Sequence, residues 1–305
     1  MKYFFTLVMS MIITLKSESQ EKDELNYRIH FLTTIVKAQG IQEIAQGTGF
    51  FYNVIDTLKS NAWSKINGIW LITNRHIVLQ KDFMNRESLP ELFTFYMRKL
   101  GDSSLLWEPI QLSANELRKR LKIFEDSTID VVAIDVQDLL MKKTMSDKSV
   151  IQWQGVSKND LPDENPQNIQ VTDDVSIVGF PLGFYDNLNL FPIVKTGSIA
   201  SRWGFGYNGN PYFLIDAKLF PGSSGSIVIS KPANFMVDTS GTLFSSKSKQ
   251  YIFLGIYSGE PHLMPTETFD TGDLIIQKKR KYDVGIVWYS SLIPELVEKG
   301  VRFNK

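Results

Sequence analysis

Three short runs carry residue types that could together perform acyl transfer. Trp70-Leu71-Ile72-Thr73-Asn74-Arg75-His76-Ile77-Val78 is an apolar strand leading into a histidine. Ser127-Thr128-Ile129-Asp130-Val131-Val132-Ala133-Ile134-Asp135-Val136 sets an acid at the mouth of a second apolar strand. Pro221-Gly222-Ser223-Ser224-Gly225-Ser226 is a serine-rich turn that follows a third, Phe213 to Ile215. A serine hydroxyl becomes a nucleophile when a base takes its proton, an acid holds that base in the right tautomer, and amides face the oxyanion. The candidates are therefore His76, Asp130 or Asp135, and one of Ser223, Ser224 and Ser226. They occur in the chain order His, Asp, Ser.

Composition removes most other chemistries. The chain has no cysteine, which excludes disulfides, thiolate nucleophiles, zinc–cysteine sites and iron–sulfur clusters. Its three histidines, His30, His76 and His262, are too far apart in sequence for a helical metal-binding pair. Thirty-three basic and 33 acidic residues give zero formal charge, without the excess of clustered cations that a nucleic-acid binder needs. Gly222-Ser223-Ser224-Gly225-Ser226 misses the Gly-x-Ser-x-Gly elbow in its last residue, and only His262 follows Ser224. No P-loop or dinucleotide-binding glycine pattern is present, and no metal or organic cofactor is expected.

The elements that must position these residues read mostly as short strands. Segments rich in β-branched and aromatic residues run over 31–36, 49–52, 69–73, 92–97, 131–136, 175–179, 213–215, 227–229, 251–257 and 284–289, separated by turn residues. That pattern predicts a sandwich or barrel rather than alternating βαβ units. Ser113-Ala114-Asn115-Glu116 is a capping box that predicts a helix of about three turns carrying Leu117, Leu121 and Phe124 on one side. Ser291 and Gly300 bracket a short C-terminal helix over 292–299. The polar, proline-containing segment 157–168 is the candidate linker between two similar halves, and 241–249 is the candidate exposed hairpin tip. Lys2, the apolar run 3–15 and the small residues Ser17 and Ser19 predict a secretory signal over residues 1–19. The run is shorter than the roughly 20 residues a membrane-spanning helix needs, so no stable membrane insertion is expected after its removal. With no glycosylation sequon and no cysteine, a bacterial periplasmic or secreted location is expected.

With these motifs the chain resembles the trypsin-like serine peptidases of chymotrypsin fold, in particular the disulfide-free bacterial branch related to HtrA and the glutamyl endopeptidases. Gly47-Thr48-Gly49-Phe50 looks like the glycine-rich strand that opens that family's first barrel. Val178-Gly179-Phe180-Pro181-Leu182-Gly183 looks like its Gly-Tyr/Phe-Pro segment in the second. Thr196-Gly197-Ser198-Ile199 and Leu254-Gly255-Ile256-Tyr257-Ser258-Gly259 match later barrel strands. The resemblance covers most of the chain after residue 19. It implies an all-β fold of two six-stranded antiparallel barrels with the active site between them and a short C-terminal helix. Residues 20–160 would form the first barrel and 161–305 the second, with no appended peptide-binding domain of the HtrA kind. It further implies a serine endopeptidase acting on a protein or peptide without a cofactor.

Site residues follow from the same resemblance. The family draws its oxyanion donors from the nucleophile and from the residue two before it. With Ser224 that residue is Gly222. With Ser223 it would be Pro221, which has no N–H, and with Ser226 the next residue would be Ile227 instead of the matching glycine. Ser224 is thus the expected nucleophile, His76 the base, and the amides of Gly222 and Ser224 the oxyanion hole. Asp130, the first acid before Val-Val-Ala-Ile, matches the family's Asp-Ile-Ala-Leu and is preferred to Asp135 as the orienting acid. Ser258 matches a serine that hydrogen-bonds the triad carboxylate in many relatives. Lys218, six residues before Ser224, is expected near the base of the primary pocket, where it would favour an acidic side chain, with Tyr257 narrowing that pocket. Arg75 adds a cation beside the base, and Ser223 replaces the aspartate that pairs with a new N-terminus in zymogens. His30 and His262 are read as non-catalytic. The alternative from another class is a catalytically silent scaffold that binds a partner protein, which has no physical need for all three groups.

Overall fold

The computed structural model describes residues 24–40, 43–56, 66–81, 86–102, 104–149, 153–162, 169–237, 243–261, 266–270, 275–279 and 283–303. The expected signal, residues 1–19, and His262 lie outside them. The first half begins with helix α1 (Glu24–Leu32), followed by β1 (Thr33–Gln39), β2 (Ile44–Ile55), β3 (Ile66–Thr73), the single turn α2 (Arg75–Val78), β4 (Gln80–Lys81) and β5 (Glu87–Ser88). It continues with β6 (Leu92–Leu100), β7 (Leu105–Ser113), α3 (Ala114–Arg120), β8 (Leu121–Ile123), β9 (Val132–Asp135), α4 (Gln137–Ser146) and β10 (Gly155–Ser157). The second half holds β11 (Asp174–Gly179), β12 (Ile193–Ile199), β13 (Tyr212–Asp216), β14 (Ile227–Ser230), β15 (Ala233–Val237), β16 (Leu243–Gln250) and β17 (Phe253–Gly259). It ends with β18 (Thr266–Asp270), β19 (Ile275–Lys279), β20 (Val284–Tyr289), α5 (Leu292–Lys299) and β21 (Val301–Arg302).

The second half closes as the expected six-stranded barrel, in the order β11-β12-β13-β20-β17-β14. The first half is built on a nine-stranded sheet, β21-β8-β9-β3-β2-β1-β6-β7, with β10 added in parallel to β2 and with β21, from the end of the second half, joining its edge at β8. It curls round one core: Phe93, Phe95 and Leu112 from one end of the sheet share a cluster with Leu121, Ile123 and Val132 from the other. Helix α3, whose Leu117 joins the same cluster, connects β7 to β8 across the gap. Its Ser113 capping box forms as expected, with the Ser113 side chain accepting from the Glu116 amide and the Glu116 carboxylate returning to the Ser113 amide. The helix stops after two turns because Leu121–Ile123 pairs with β9, a ladder that outcompetes the third turn.

Side-chain alternation explains why β2 and β3 read as unbroken apolar runs. Phe51, Ile69 and Leu71 fill the first core, while Phe50, Tyr52, Trp70 and Ile72 point the other way. That opposite face packs on Val178, Ile227, Phe253, Trp288 and the buried side of α5, forming a second cluster between the halves. Both faces of these strands are therefore buried, as expected for strands without polar alternation. The third cluster, with Ile177, Phe213, Ile215, Tyr257 and Val287, fills the closed barrel.

Some elements differ from the sequence reading. The expected strand over 31–36 begins only at Thr33, because Ile29 and Leu32 pack on the central cluster at helical spacing as the last turn of α1. The candidate hairpin tip is partly strand: β16 pairs with β15, and only residues 238–242 separate them, outside the described residues. β7, unread in the sequence, carries Pro109 in mid-strand. It lies at the end of the sheet, where a missing N–H costs no ladder bond.

Candidate active site

His76 is held out while its neighbours are held in. Within the one-turn helix α2, Ile77 and Val78 are buried in the first core, while the His76 side chain stays about half exposed. Its Nδ1 lies 2.7 Å from Asp130 Oδ2, and its backbone amide donates to Asp130 Oδ1 at 2.8 Å. A carboxylate only accepts, so this contact places the proton on Nδ1 and leaves the Nε2 lone pair free. Ser258 Oγ also donates to Asp130 Oδ2, and Asn74 Nδ2 donates to the Asp130 carbonyl at 2.7 Å. The acid is thus fixed at both oxygens and at its backbone. Asp135 sits at the far end of β9, opposite Trp70, away from His76.

Arg75 is engaged away from Asp130, by Glu87 and the Phe124 carbonyl. Its guanidinium is buried and makes a bidentate pair with Glu87, at 2.7 and 2.8 Å, and a third bond to the Phe124 carbonyl at 3.0 Å. Both side chains are shielded from water, at 6% and 12% exposure, so removing one charge strands the other. We expect Glu87→Gln to destabilise the fold by about 3 kcal/mol, the range for breaking a buried pair on one side. Chemical denaturation checks this, and a loss below about 1 kcal/mol would show the pair to be dispensable.

Around Ser224 nearly every peptide group is tied down. The carbonyls of Pro221, Gly222, Ser223 and Ser224 accept from Leu182 N at 2.6 Å, Thr48 Oγ1 at 3.1 Å, Ser226 N at 2.9 Å and Thr48 N at 2.8 Å. The Ser223 amide donates to Phe220 O at 3.0 Å and the Gly225 amide to Tyr257 O at 2.8 Å. Among the described residues, the amides of Gly222 and Ser224 alone in this turn have no protein acceptor. In a trans peptide the C=O and N–H point oppositely, so anchoring the Pro221 and Ser223 carbonyls turns those two amides away from the anchors. Gly222 and Gly225 both have φ of +85°, and a Cβ on Gly225 would lie 1.8 Å from the Thr48 carbonyl oxygen. Only glycine fits there. The Ser224 hydroxyl donates to the Ser258 carbonyl at 2.9 Å, so it is joined to the His76–Asp130 pair through Ser258 rather than directly.

Ser258 is therefore central, with its side chain on Asp130 and its carbonyl accepting from the Ser224 hydroxyl. A bulge between Tyr257 and Gly259 in the β17–β20 ladder re-aims it towards Asp130. Tyr257, by contrast, does not narrow a pocket: it is buried in the barrel core, and burial, then the charge of Glu260, pushes its phenol above the usual range. Lys218 is not brought to the site either. Ala217 and Leu219 point into the barrel core, so alternation turns Lys218 outward, where its side chain is exposed. A cleft of about 1190 Å³ opens beside His76, Asp130 and Ser258, and its wall includes Glu43, Gly259 and Glu260. His30 stacks on Phe191 with ring centroids 4.2 Å apart, far from this chemistry in the structure's contacts. Among the described residues no group of three or more histidines and carboxylates could hold a metal ion. Thr48 escaped the sequence reading as a site residue, although it stands between the two glycines already singled out in Gly47-Thr48-Gly49.

The family model of the trypsin-like peptidase domain matches residues 47–237. Among curated proteins no significant match was found. Of the solved structures, the active form of the Rv3671c protease from M. tuberculosis is 14% identical, with 94% of this chain and 88% of that one covered and a TM-score of 0.47. The serine endoprotease of Yersinia pestis is 13% identical, with 93% and 66% covered and a TM-score of 0.44. Tobacco etch virus protease with bound product is 10% identical, with 91% and 83% covered and a TM-score of 0.48. From the family match over most of its length, the chain belongs to the trypsin-like peptidases and is a serine endopeptidase.

Proposed function

We propose that the chain hydrolyses peptide bonds through Ser224, His76 and Asp130 by way of an acyl-enzyme. The observation that carries this reading is the hydrogen-bonded line from Ser224 through Ser258 to Asp130 and His76, set beside two amides left without acceptors. Turning about its Cα–Cβ bond moves the Ser224 hydroxyl from the Ser258 carbonyl to another staggered position, from which His76 Nε2 can take its proton. The oxygen then attacks the scissile carbonyl carbon, and the amides of Gly222 and Ser224 stabilise the oxyanion. His76 returns the proton to the leaving amine as the C–N bond breaks, leaving an ester on Ser224. Water attacks that ester with His76 again as base, which releases the acid and restores the hydroxyl. Covalent labelling by a fluorophosphonate tests the assignment. Wild type should be labelled and Ser224→Ala should not; a folded wild type that resists labelling would instead favour the silent scaffold.

Substrate charge should follow the cleft rather than Lys218. Of its carboxylates, Glu87 is neutralised by Arg75 and Asp130 is bound in the triad, which leaves two carboxylates, Glu43 and Glu260, and one lysine, Lys81, in the cleft lining. Peptides with a basic residue near the scissile bond should be cleaved about three- to tenfold faster than acidic counterparts, a partly screened charge interaction of roughly 1 kcal/mol. Glu260→Gln should narrow that ratio. A library profile that favours acidic residues would overturn the expectation.

A further inference from the structure

We propose that the Thr48 hydroxyl is a positioning group for the oxyanion hole, held on the half of the molecule that carries the base. This rests on Ser224 as nucleophile with the Gly222 and Ser224 amides as donors. Thr48 is fully buried on β2 and makes four hydrogen bonds, two of them to the loop that carries Ser224. Its hydroxyl donates to the Gly222 carbonyl at 3.1 Å and accepts the Phe180 amide at 3.0 Å. Its amide donates to the Ser224 carbonyl at 2.8 Å, and its carbonyl accepts the Thr73 hydroxyl at 2.8 Å. Thr73 ends β3, three residues before His76. A single residue thus joins the strand leading into the base, through its backbone carbonyl, with the turn carrying both oxyanion amides, through its hydroxyl and its backbone amide.

The hydroxyl matters because of which peptide it holds. The Gly222–Ser223 peptide lies between the two oxyanion donors, and at φ of +85° the glycine has no side chain to restrict it. Its N–H is tied to Phe220 within the same loop. Among the described residues, only the Thr48 hydroxyl ties its carbonyl to the first half. Without that bond the peptide can rotate, carrying the Gly222 and Ser224 amides out of alignment. Donors aimed at developing charge act only when held in place beforehand, so the loss should fall on the transition state and spare ground-state binding.

The test compares Thr48→Val, which keeps the shape and removes the hydroxyl, with Thr48→Ser, which keeps the hydroxyl. We expect Thr48→Val to lose about 10- to 100-fold in kcat with KM within twofold, and to bind a peptide aldehyde, which forms an oxyanion on Ser224, weaker by the same factor. Thr48→Ser should stay within about threefold of wild type. If Thr48→Val does not fold, Thr48→Ala carries the same comparison below its melting temperature. Equal losses in the Ser and Val variants, or a hydroxyl-free variant with wild-type kcat, would overturn the proposal. Fluorophosphonate labelling of wild type separates this from failure of the nucleophile assignment: labelled wild type with an unaffected Thr48→Val rejects only the role of Thr48.

Discussion

Ser224→Ala is expected to remove peptide hydrolysis almost entirely, by about 10⁶ in kcat, the scale seen when a nucleophile acting in concert with its base is deleted. The fold should survive. Ser224 is half-buried in a turn held by backbone bonds, and its side chain makes one hydrogen bond, to the Ser258 carbonyl, which can take water instead. His76→Ala should cost about as much, because without Nε2 the hydroxyl has nowhere to send its proton. The double variant is the informative one. Where two groups act as a unit, removing the second after the first costs little, so Ser224→Ala/His76→Ala should lie within roughly threefold of either single variant. Steady-state turnover of a casein-like unfolded substrate, with circular dichroism on each variant, makes the comparison. Multiplicative losses would mean that the two residues act independently, and near-normal turnover in Ser224→Ala would remove it from the mechanism.

The residues proposed as acid, base and nucleophile stood out in the sequence through local chemistry read together with the family resemblance. A strand that runs into a histidine followed by two core residues must expose the histidine, and Ile77 and Val78 do hold His76 outward. The lack of an N–H on proline excluded Ser223, and the structure leaves the Gly222 and Ser224 amides unengaged. Features set by long-range packing were less accessible. Lys218 lies at the spacing of a pocket base, yet whether it faces in or out depends on Ala217 and Leu219 joining a core that sequence spacing alone does not describe. Arg75 looked like a threat to the base because its partner Glu87 is twelve residues away in the chain. Helix α4 passed unread for a different reason: it buries only Leu140, too little to produce a periodic stripe. Thr48 hid in plain view, since its role depends on Gly222 and Phe180, each more than 130 residues distant in the chain.

Asp130→Asn should lower kcat by about 10⁴ while leaving the fold intact, and the reason can be followed atom by atom. The native carboxylate accepts three donors: the His76 amide on Oδ1, and His76 Nδ1–H with the Ser258 hydroxyl on Oδ2. An asparagine has one acceptor oxygen and one NH₂ donor, so it cannot serve both sides. The His76 backbone amide always donates, which draws the asparagine oxygen to the Oδ1 position. Its NH₂ then faces Nδ1, and the imidazole can answer only by moving its proton to Nε2. Ser258 can rotate its hydroxyl and adapt. His76 cannot, because in this tautomer Nε2 carries a proton and no longer accepts one from Ser224. Geometry is kept and the base is lost. Two measurements check this: kcat/KM on one peptide substrate, and the proton resonance of the His76 ring, which should shift from the Nδ1-bound to the Nε2-bound form. Turnover within tenfold of wild type, or an unchanged tautomer with the full loss of rate, would show that Asp130 acts by charge or by packing and not by setting which nitrogen carries the proton.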